Sequence, residues 1–416
     1  MSQRPKLLFL GQTLPFPPDG GVHIRMYHTL RLLSEAFDVT ALLFFRREER
    51  PSPGSVREGL AGLSFLHQVE AFPLPQEFSR VRWVGDHLRS TLAYRAYTWY
   101  AYDSAAFRTR LAELRRTEEF ALGHIDSLDL AGYLPDLDGL PVVCAHHNVE
   151  SALLLRRAER ERNPLRREYL AFQGALLEKL ESEWCRRVAL NVCVSREDVA
   201  ILQPRAPATP FIVVPNGADT GTLLPVDRPL EVDVLGIGGL NWGPNREALE
   251  FLCSDILPPL RRRRPDVRVR WVGRASDADR REFRDRHGVE LTGYVNDARP
   301  YFASAACVVA PLRAGGGTRL KILDAWAMER PVVSTWIGAE GLLARDGENI
   351  LLRDDAEGFA AAVAEVVADP SIGSRLGRAA RRTVETVYAW EVIGGPMIEA
   401  YRGVLAPTEA PLMAVG

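Results

Sequence analysis

Along nearly the whole chain, short apolar runs alternate with stretches in which apolar positions recur at helical spacing. Residues 7–10, 39–45, 142–145, 190–194 and 211–214 are near-continuous apolar runs, as expected of strands buried on both faces. Helix-period segments such as 24–37 and 166–189 lie between them. Repeated strand, helix and strand predicts an α/β fold, a doubly wound parallel sheet with helices on both faces. Around 220–233 the periodicity stops, and prolines and acids collect as they would in a linker. The alternation then restarts, with strands predicted at 232–237, 267–272, 289–291, 307–310, 331–334 and 350–352. Helices are predicted at 245–263, 320–328 and 356–368. The reading is two domains, 1–222 and 223–387, followed by an amphipathic helix within 388–406. Ligands of such sheets bind outside the carboxyl ends of the strands, so tandem domains suggest a cleft lined by the loops that follow strands.

Composition narrows the function classes. Of 416 residues, 46% are apolar and 25% charged, which excludes a fibrous or largely disordered chain. A net charge of −2 gives no global field toward nucleic acid. The 52 basic residues include only three lysines, Lys6, Lys179 and Lys321, so a lysine in a suggestive place stands out. The five cysteines show no C-x-x-C pair and sit in apolar surroundings, which argues against a disulfide framework or a zinc site and for a reducing compartment. The first apolar run is too short for a signal peptide, and no stretch approaches the ~18 apolar residues of a membrane span. The expectation is a cytoplasmic protein.

The most informative segment is Ala310-Pro-Leu-Arg-Ala-Gly-Gly-Gly-Thr-Arg-Leu-Lys-Ile-Leu-Asp324. A predicted strand runs into a loop with Gly315, Gly316 and Gly317, and a helix is expected to start near Thr318. Glycines let the backbone approach a ligand, free N–H groups at a helix start favour an anion, and Arg319 and Lys321 add full positive charge. A diphosphate is the natural guest, with Asp324 placed to accept from sugar hydroxyls. The plainer reading is a glycine turn with a solvated basic helix start. Pro17-Pro-Asp-Gly20-Gly21 is a second candidate anion loop, with Arg25 in the following first turn. Its plainer reading is a β-α turn. Gly236-Ile-Gly238-Gly239 invites a dinucleotide reading, but the third glycine and an acid after the next strand are missing. Gly238 and Gly239 fit a close backbone approach to a diphosphate better. Asn216-Gly217 reads as a turn using positive φ. Tyr94, Tyr97, Trp99, Tyr100 and Tyr102 could stack on an acceptor sugar or simply pack. The arginine-rich stretches 156–167, 261–264 and 280–286 read as solvated helix faces, the first also as a membrane-surface contact.

These segments resemble, in order and spacing, the retaining glycosyltransferases of family 4. The same holds for His146-His-Asn-Val-Glu150, Cys193-Val-Ser195, Val214-Pro-Asn-Gly-Ala-Asp219, Gly238-Gly-Leu-Asn-Trp-Gly-Pro-Asn245, Gly293-Tyr294-Val295, Pro331-Val-Val-Ser334 and Gly338-Ala-Glu-Gly341. The resemblance spans about residues 6–402. It implies the GT-B fold, two facing Rossmann-like domains, with the terminal helix returning to the first. It implies transfer of a sugar with retention from a nucleotide-diphosphate donor to a hydroxyl of a glycan, lipid-linked or small-molecule acceptor. No metal and no cofactor are implied, and peripheral contact with the inner membrane face is compatible with it. Arg319, Lys321 and His147 take the catalytic roles. Gly20, Gly21, Gly238, Gly239, Tyr294, Val295, Gly315, Gly316, Gly317, Thr318 and Asp324 fall on the donor side. Many members carry two glutamates eight positions apart where this chain has Gly316 and Asp324. That departure motivates an alternative, a catalytically silent GT-B protein that binds a nucleotide sugar or supports a partner. A 2-epimerase on the same fold would need more acids and histidines than the motifs supply.

Overall fold

A computed structural model describes residues 4–48, 50, 52–314 and 319–406. The chain forms two compact units, residues 1–214 with 394–416, and residues 215–393. In the first unit seven parallel strands are β1 (Lys6–Gly11), β2 (Asp38–Phe45), β3 (Gln68–Pro73), β4 (Leu122–Asp126), β5 (Val142–His146), β6 (Leu190–Cys193) and β7 (Phe211–Val213). Their spatial order is β3-β2-β1-β4-β5-β6-β7, so the direction of winding reverses between β1 and β4. The second unit has six, β8 (Val232–Ile237), β9 (Val269–Val272), β10 (Val289–Leu291), β11 (Ala305–Ala310), β12 (Val332–Ser334) and β13 (Leu351–Leu352), in the order β10-β9-β8-β11-β12-β13. Here winding reverses between β8 and β11. Each unit by itself is a doubly wound parallel sheet of Rossmann-like winding.

The apolar runs form strands because helices cover both faces, and the cores follow. Phe44 stacks on Phe107 at a centroid distance of 4.5 Å, with Tyr133 against the same ring. In the second unit Trp271, Trp326, Phe302 and Phe359 are fully buried. Helices start where a short polar side chain satisfies the first free N–H groups: Ser104 accepts from Phe107, and Ser276 with Asp279 forms a capping box. The helix Trp390–Leu405 brings the chain back to the first unit, where Gly394 lies flat on Leu32 and Tyr401 is buried.

Two strands escape the apolar-run criterion. β4 reads Leu-Gly-His-Ile-Asp, two polar residues in five, yet every position is buried. β3 is only half-buried. The segment 245–263 is helical throughout, but passes through a wide turn at Leu252–Ile256 ahead of Pro258 and Pro259, which cannot donate backbone bonds.

Candidate functional site

In the second unit, the loops leaving β8 and β11 flank the reversal of winding, where ligands of such sheets bind. The chain leaves β8 through Gly238, whose φ of 146° few side chains tolerate. Gly273, with φ 149° after β9, lies directly behind: a Cβ on it would sit 2.4 Å from the Gly238 carbonyl oxygen. The Trp271 indole donates to that same oxygen at 2.7 Å. Gly236 is a glycine because a Cβ would enter the Trp271 ring at 2.1 Å, a packing demand unrelated to dinucleotides. Asn245 then ties the loop to the cationic helix. Its amide donates to the Gly239 carbonyl at 3.0 Å, and its Oδ1 accepts from Lys321 Nζ at 2.7 Å.

Lys321 lies on the helix Leu320–Ala327, which follows β11. Ile322, Leu323 and Trp326 are buried and fix that helix on the sheet, leaving Lys321 and Asp324 half-buried on its other side. Burial pushes the Lys321 ammonium down to about 7, and the like charge of Arg319 acts in the same direction. Burial pushes the Asp324 carboxyl up to about 7. Arg319 is buried, 3.5 Å from the Ile337 carbonyl oxygen. Both Lys321 and Asp324 therefore sit where their charged forms are under-solvated, and a phosphate or a hydroxyl would relieve them.

Tyr294 follows Gly293, which has φ 80° and bridges to Gly273; the Arg274 guanidinium lies 4.9 Å over the Tyr294 ring. Val295 lines a surface depression with Glu231 and Ser304, which precede β8 and β11, so it lies toward the amino ends of those strands rather than beside Gly238. The predicted donor residues Gly315, Gly316, Gly317 and Thr318 lie outside the described residues.

The first unit gathers its chemistry where β4 and β5 end. His147 follows β5, and its Nε2 lies 3.0 Å from Asp126 Oδ2 at the end of β4. Asp126 Oδ1 meets His124 Nε2 at 3.4 Å, and His124 Nδ1 meets the Tyr401 hydroxyl at 2.9 Å. The four groups form a buried chain that ends on the returning helix. Burial alone would raise the Asp126 carboxyl, but His147 and His124 bring it down to about 2. Burial lowers His124 and raises Tyr401. Arg25 is buried in the same electrostatic neighbourhood, and its guanidinium donates to the Val214 carbonyl at 2.9 Å. Its guanidinium is thus engaged within this unit. His146, by contrast with His147, is turned into the sheet, 2.9 Å from Asn191 Oδ1, and burial lowers it to about 4.

Gly20 caps the helix Gly21–Ala36 with extended backbone, and a Cβ on it would meet only His23 Nδ1, at 3.6 Å. Neither packing nor conformation demands a glycine there; Gly21 is exposed. Glu150 opens the helix Glu150–Arg160, and burial, with Asp129 adding, pushes its carboxyl up to about 7. Gly217 does not use positive φ: a Cβ would strike the Trp390 ring at 2.6 Å. Of the aromatic cluster, Tyr102 is buried, Tyr97 and Trp99 pack against the core, and Tyr94 is exposed. All five cysteines are buried and unbridged.

Asn245 appeared in the sequence only as part of a motif; Asp126, His124 and Tyr401 carried no signal. Asp126 and His124 sit on the strand that polar content concealed, and Tyr401 lies 277 positions from its partner.

Residues 231–369 match the family described as Glycosyl transferases group 1. The lipopolysaccharide core biosynthesis glycosyltransferase LpsE of Rhizobium meliloti is 37% identical over 125 residues, 28% of this chain and 34% of that protein. The phosphatidyl-myo-inositol mannosyltransferase of Mycolicibacterium smegmatis is 29% identical over 251 residues, 56% of this chain and 61% of that protein. The alignments thus span less than two thirds of either relative. Among solved structures, HepE of Anabaena in complex with UDP and glucose matches with TM-score 0.67 and 15% identity, over 96% of this chain and 100% of that one. No described helix is long and apolar enough to cross a membrane.

Proposed function

The chain has the GT-B fold, and its second unit matches the group 1 glycosyltransferases by sequence; from that premise we propose that it transfers a sugar from a nucleotide-diphosphate donor to an acceptor hydroxyl. The observation that carries this reading is the Gly238–Asn245–Lys321 arrangement at the winding reversal of the second sheet, with Arg319 at the same helix start. The donor diphosphate lies against the Gly238–Gly239 turn, and Arg319 and Lys321 take up the charge that grows on it as it leaves. Two cationic side chains of the chain itself supply that role, so the reaction needs no metal. Asp324 receives hydroxyls of the nucleoside. The bond from the anomeric carbon to the diphosphate oxygen breaks, the bond to the acceptor oxygen forms on the same face, and the hydroxyl proton passes to the departing diphosphate. Configuration is retained, as in family 4. Gly20, Gly21 and His147 serve the sugar and acceptor side, with His147 oriented by Asp126. The relatives make a glycan or lipid-linked acceptor the first class to try, at the inner face of a membrane.

The test is incubation with a panel of UDP-, GDP- and dTDP-sugars and membrane lipid extract, with NMR of the anomeric signal of any product. Release of nucleotide diphosphate with an axial product from an axial donor supports the reading. An inverted product overturns retention, and transfer that stops on chelation overturns metal independence. Absence of any transfer or donor hydrolysis, with the nucleotide bound, favours the silent-binder alternative.

A further inference from the structure

Beyond the carboxyl end of β12 the chain makes a turn that is polar and tightly held inside, yet apolar outside. Ser334 and Thr335 are buried. The Ser334 hydroxyl lies 3.0 Å from the Ala310 carbonyl oxygen, where β11 ends, and the Thr335 hydroxyl donates to the Leu312 carbonyl just beyond it. Thr335 Oγ1 in turn accepts from the Gly338 N–H at 2.9 Å, and the Trp336 N–H donates to Asp354 Oδ1 at 3.0 Å. A Cβ on Gly338 would lie 2.6 Å from the Ala310 carbonyl oxygen, so the turn closes directly on backbone. Groups at the ends of β11 and β12 and after β13 thus fix one short segment.

What that segment presents is an indole. Trp336 is 58% exposed, the most exposed of the eight tryptophans. Its neighbour places it: the Ile337 carbonyl oxygen lies 3.5 Å from Arg319 Nη2, the cation assigned above to the donor diphosphate. β12 flanks β11 on the side away from β8, β9 and β10. A sugar nucleotide leaves its diphosphate in two directions, the nucleoside one way and the sugar the other. On the side of β9 and β10, Arg274 over Tyr294 offers a flat, cation-backed surface suited to a planar base. On the side of β12, no guanidinium covers Trp336 among the described residues. The face of an indole is electron-rich and the C–H face of a pyranose is apolar and weakly positive, so the two attract and both leave water. A ring held by a rigid turn before the ligand arrives gives up little freedom in stacking.

We propose that Trp336 is the platform on which a pyranose ring stacks beside the diphosphate, selecting sugars with an unbroken C–H face. The inference rests on the donor reading of this site. The ring belongs either to the donor sugar or to the acceptor, and the experiment separates the two.

Calorimetric titration of the wild type, Trp336→Ala and Trp336→Phe with a nucleoside diphosphate and with its hexose conjugate tests it, together with acceptor saturation in the transfer assay. Where the donor ring stacks, Trp336→Ala binds the sugar nucleotide about tenfold more weakly and the free diphosphate as the wild type does, while Trp336→Phe stays within about threefold. Where the acceptor ring stacks, both nucleotide affinities hold and the acceptor KM rises about tenfold in Trp336→Ala, with the same partial rescue by phenylalanine. The position is exposed, so the melting temperature should not move. A parallel loss of affinity for the free diphosphate overturns the proposal, because the indole then serves the base or the fold of the loop. No change in any of the three quantities overturns it as well. A wild type that binds no nucleoside diphosphate overturns the donor reading and this inference with it; normal nucleotide binding with an indifferent Trp336 overturns this inference alone.

Discussion

The two units place charge in opposite electrostatic situations. In the second, Lys321 and Asp324 are each held away from water without a compensating opposite charge, so the ammonium falls and the carboxyl rises to meet near 7. In the first, Asp126 is more deeply buried yet held at about 2, because two histidines and the field of Arg25 already answer it. An uncompensated pair is prepared to gain from a ligand; a compensated one spends its interactions on geometry. On the proposed reading the second unit binds the donor and the first holds His147 in position, although both sites lie at the carboxyl ends of strands in the same kind of sheet.

The sharpest way to break the contrast is to disturb the backbone behind Gly238. Gly273→Ala puts a side chain at φ 149° and 2.4 Å from a carbonyl oxygen, and strain with overpacking should cost about 4 kcal/mol. Urea unfolding and nucleotide titration together should show lost stability and lost binding. Asp126→Asn should cost about 3 kcal/mol by removing a buried charge that His147, His124 and the field of Arg25 all answer. It should also lower transfer while nucleotide affinity stays at the wild-type value; loss of nucleotide binding here would erase the division of labour.

The pH dependence of nucleotide binding comes next. Above pH 7 Lys321 loses its positive charge and Asp324 gains a negative one, and both changes oppose an anion. The last phosphate ionisation is complete by about pH 7, so affinity for a nucleoside diphosphate should fall about tenfold between about pH 7 and 9. Binding near neutrality should take up protons, which calorimetry in buffers of different ionisation enthalpy measures. The smallest effect is Tyr401→Phe, which removes one buried hydrogen bond to His124 and should cost about 1 kcal/mol. Transfer should drop modestly with a shifted pH profile, an outcome that a purely structural tyrosine would not give.

What was legible in the sequence follows the same division. The second site is built from loops with local chemical signatures: a rare lysine, an arginine at a helix start, and glycines where backbone meets backbone. Those residues stand out because a side chain is absent or unusual there. Lys321 and Arg319 were readable for that reason, and Asn245 only as part of a motif, since a lone amide says nothing of the lysine 76 positions away. The first site is assembled across the fold. Only His147 had a local signal; Asp126 and His124 lie on a strand whose polar residues are buried by partners from β1, β5 and the returning helix, and such burial is a tertiary property. Trp336 hid for the converse reason: an apolar residue just beyond a buried strand suggests a core contact, and only its exposure reveals that the fold turns it outward.

The central claim is that Lys321 and Arg319 hold the diphosphate of the donor. Thermal unfolding with UDP, GDP, dTDP, CDP and NAD, on the wild type and on Lys321→Ala with Arg319→Ala, tests it most directly. At about 100 times its dissociation constant a ligand adds about 2.7 kcal/mol of stability, a plain shift in melting temperature. The account predicts that one nucleoside diphosphate stabilises the wild type and leaves the double variant unmoved. Equal stabilisation of both proteins, or none of either, would contradict it.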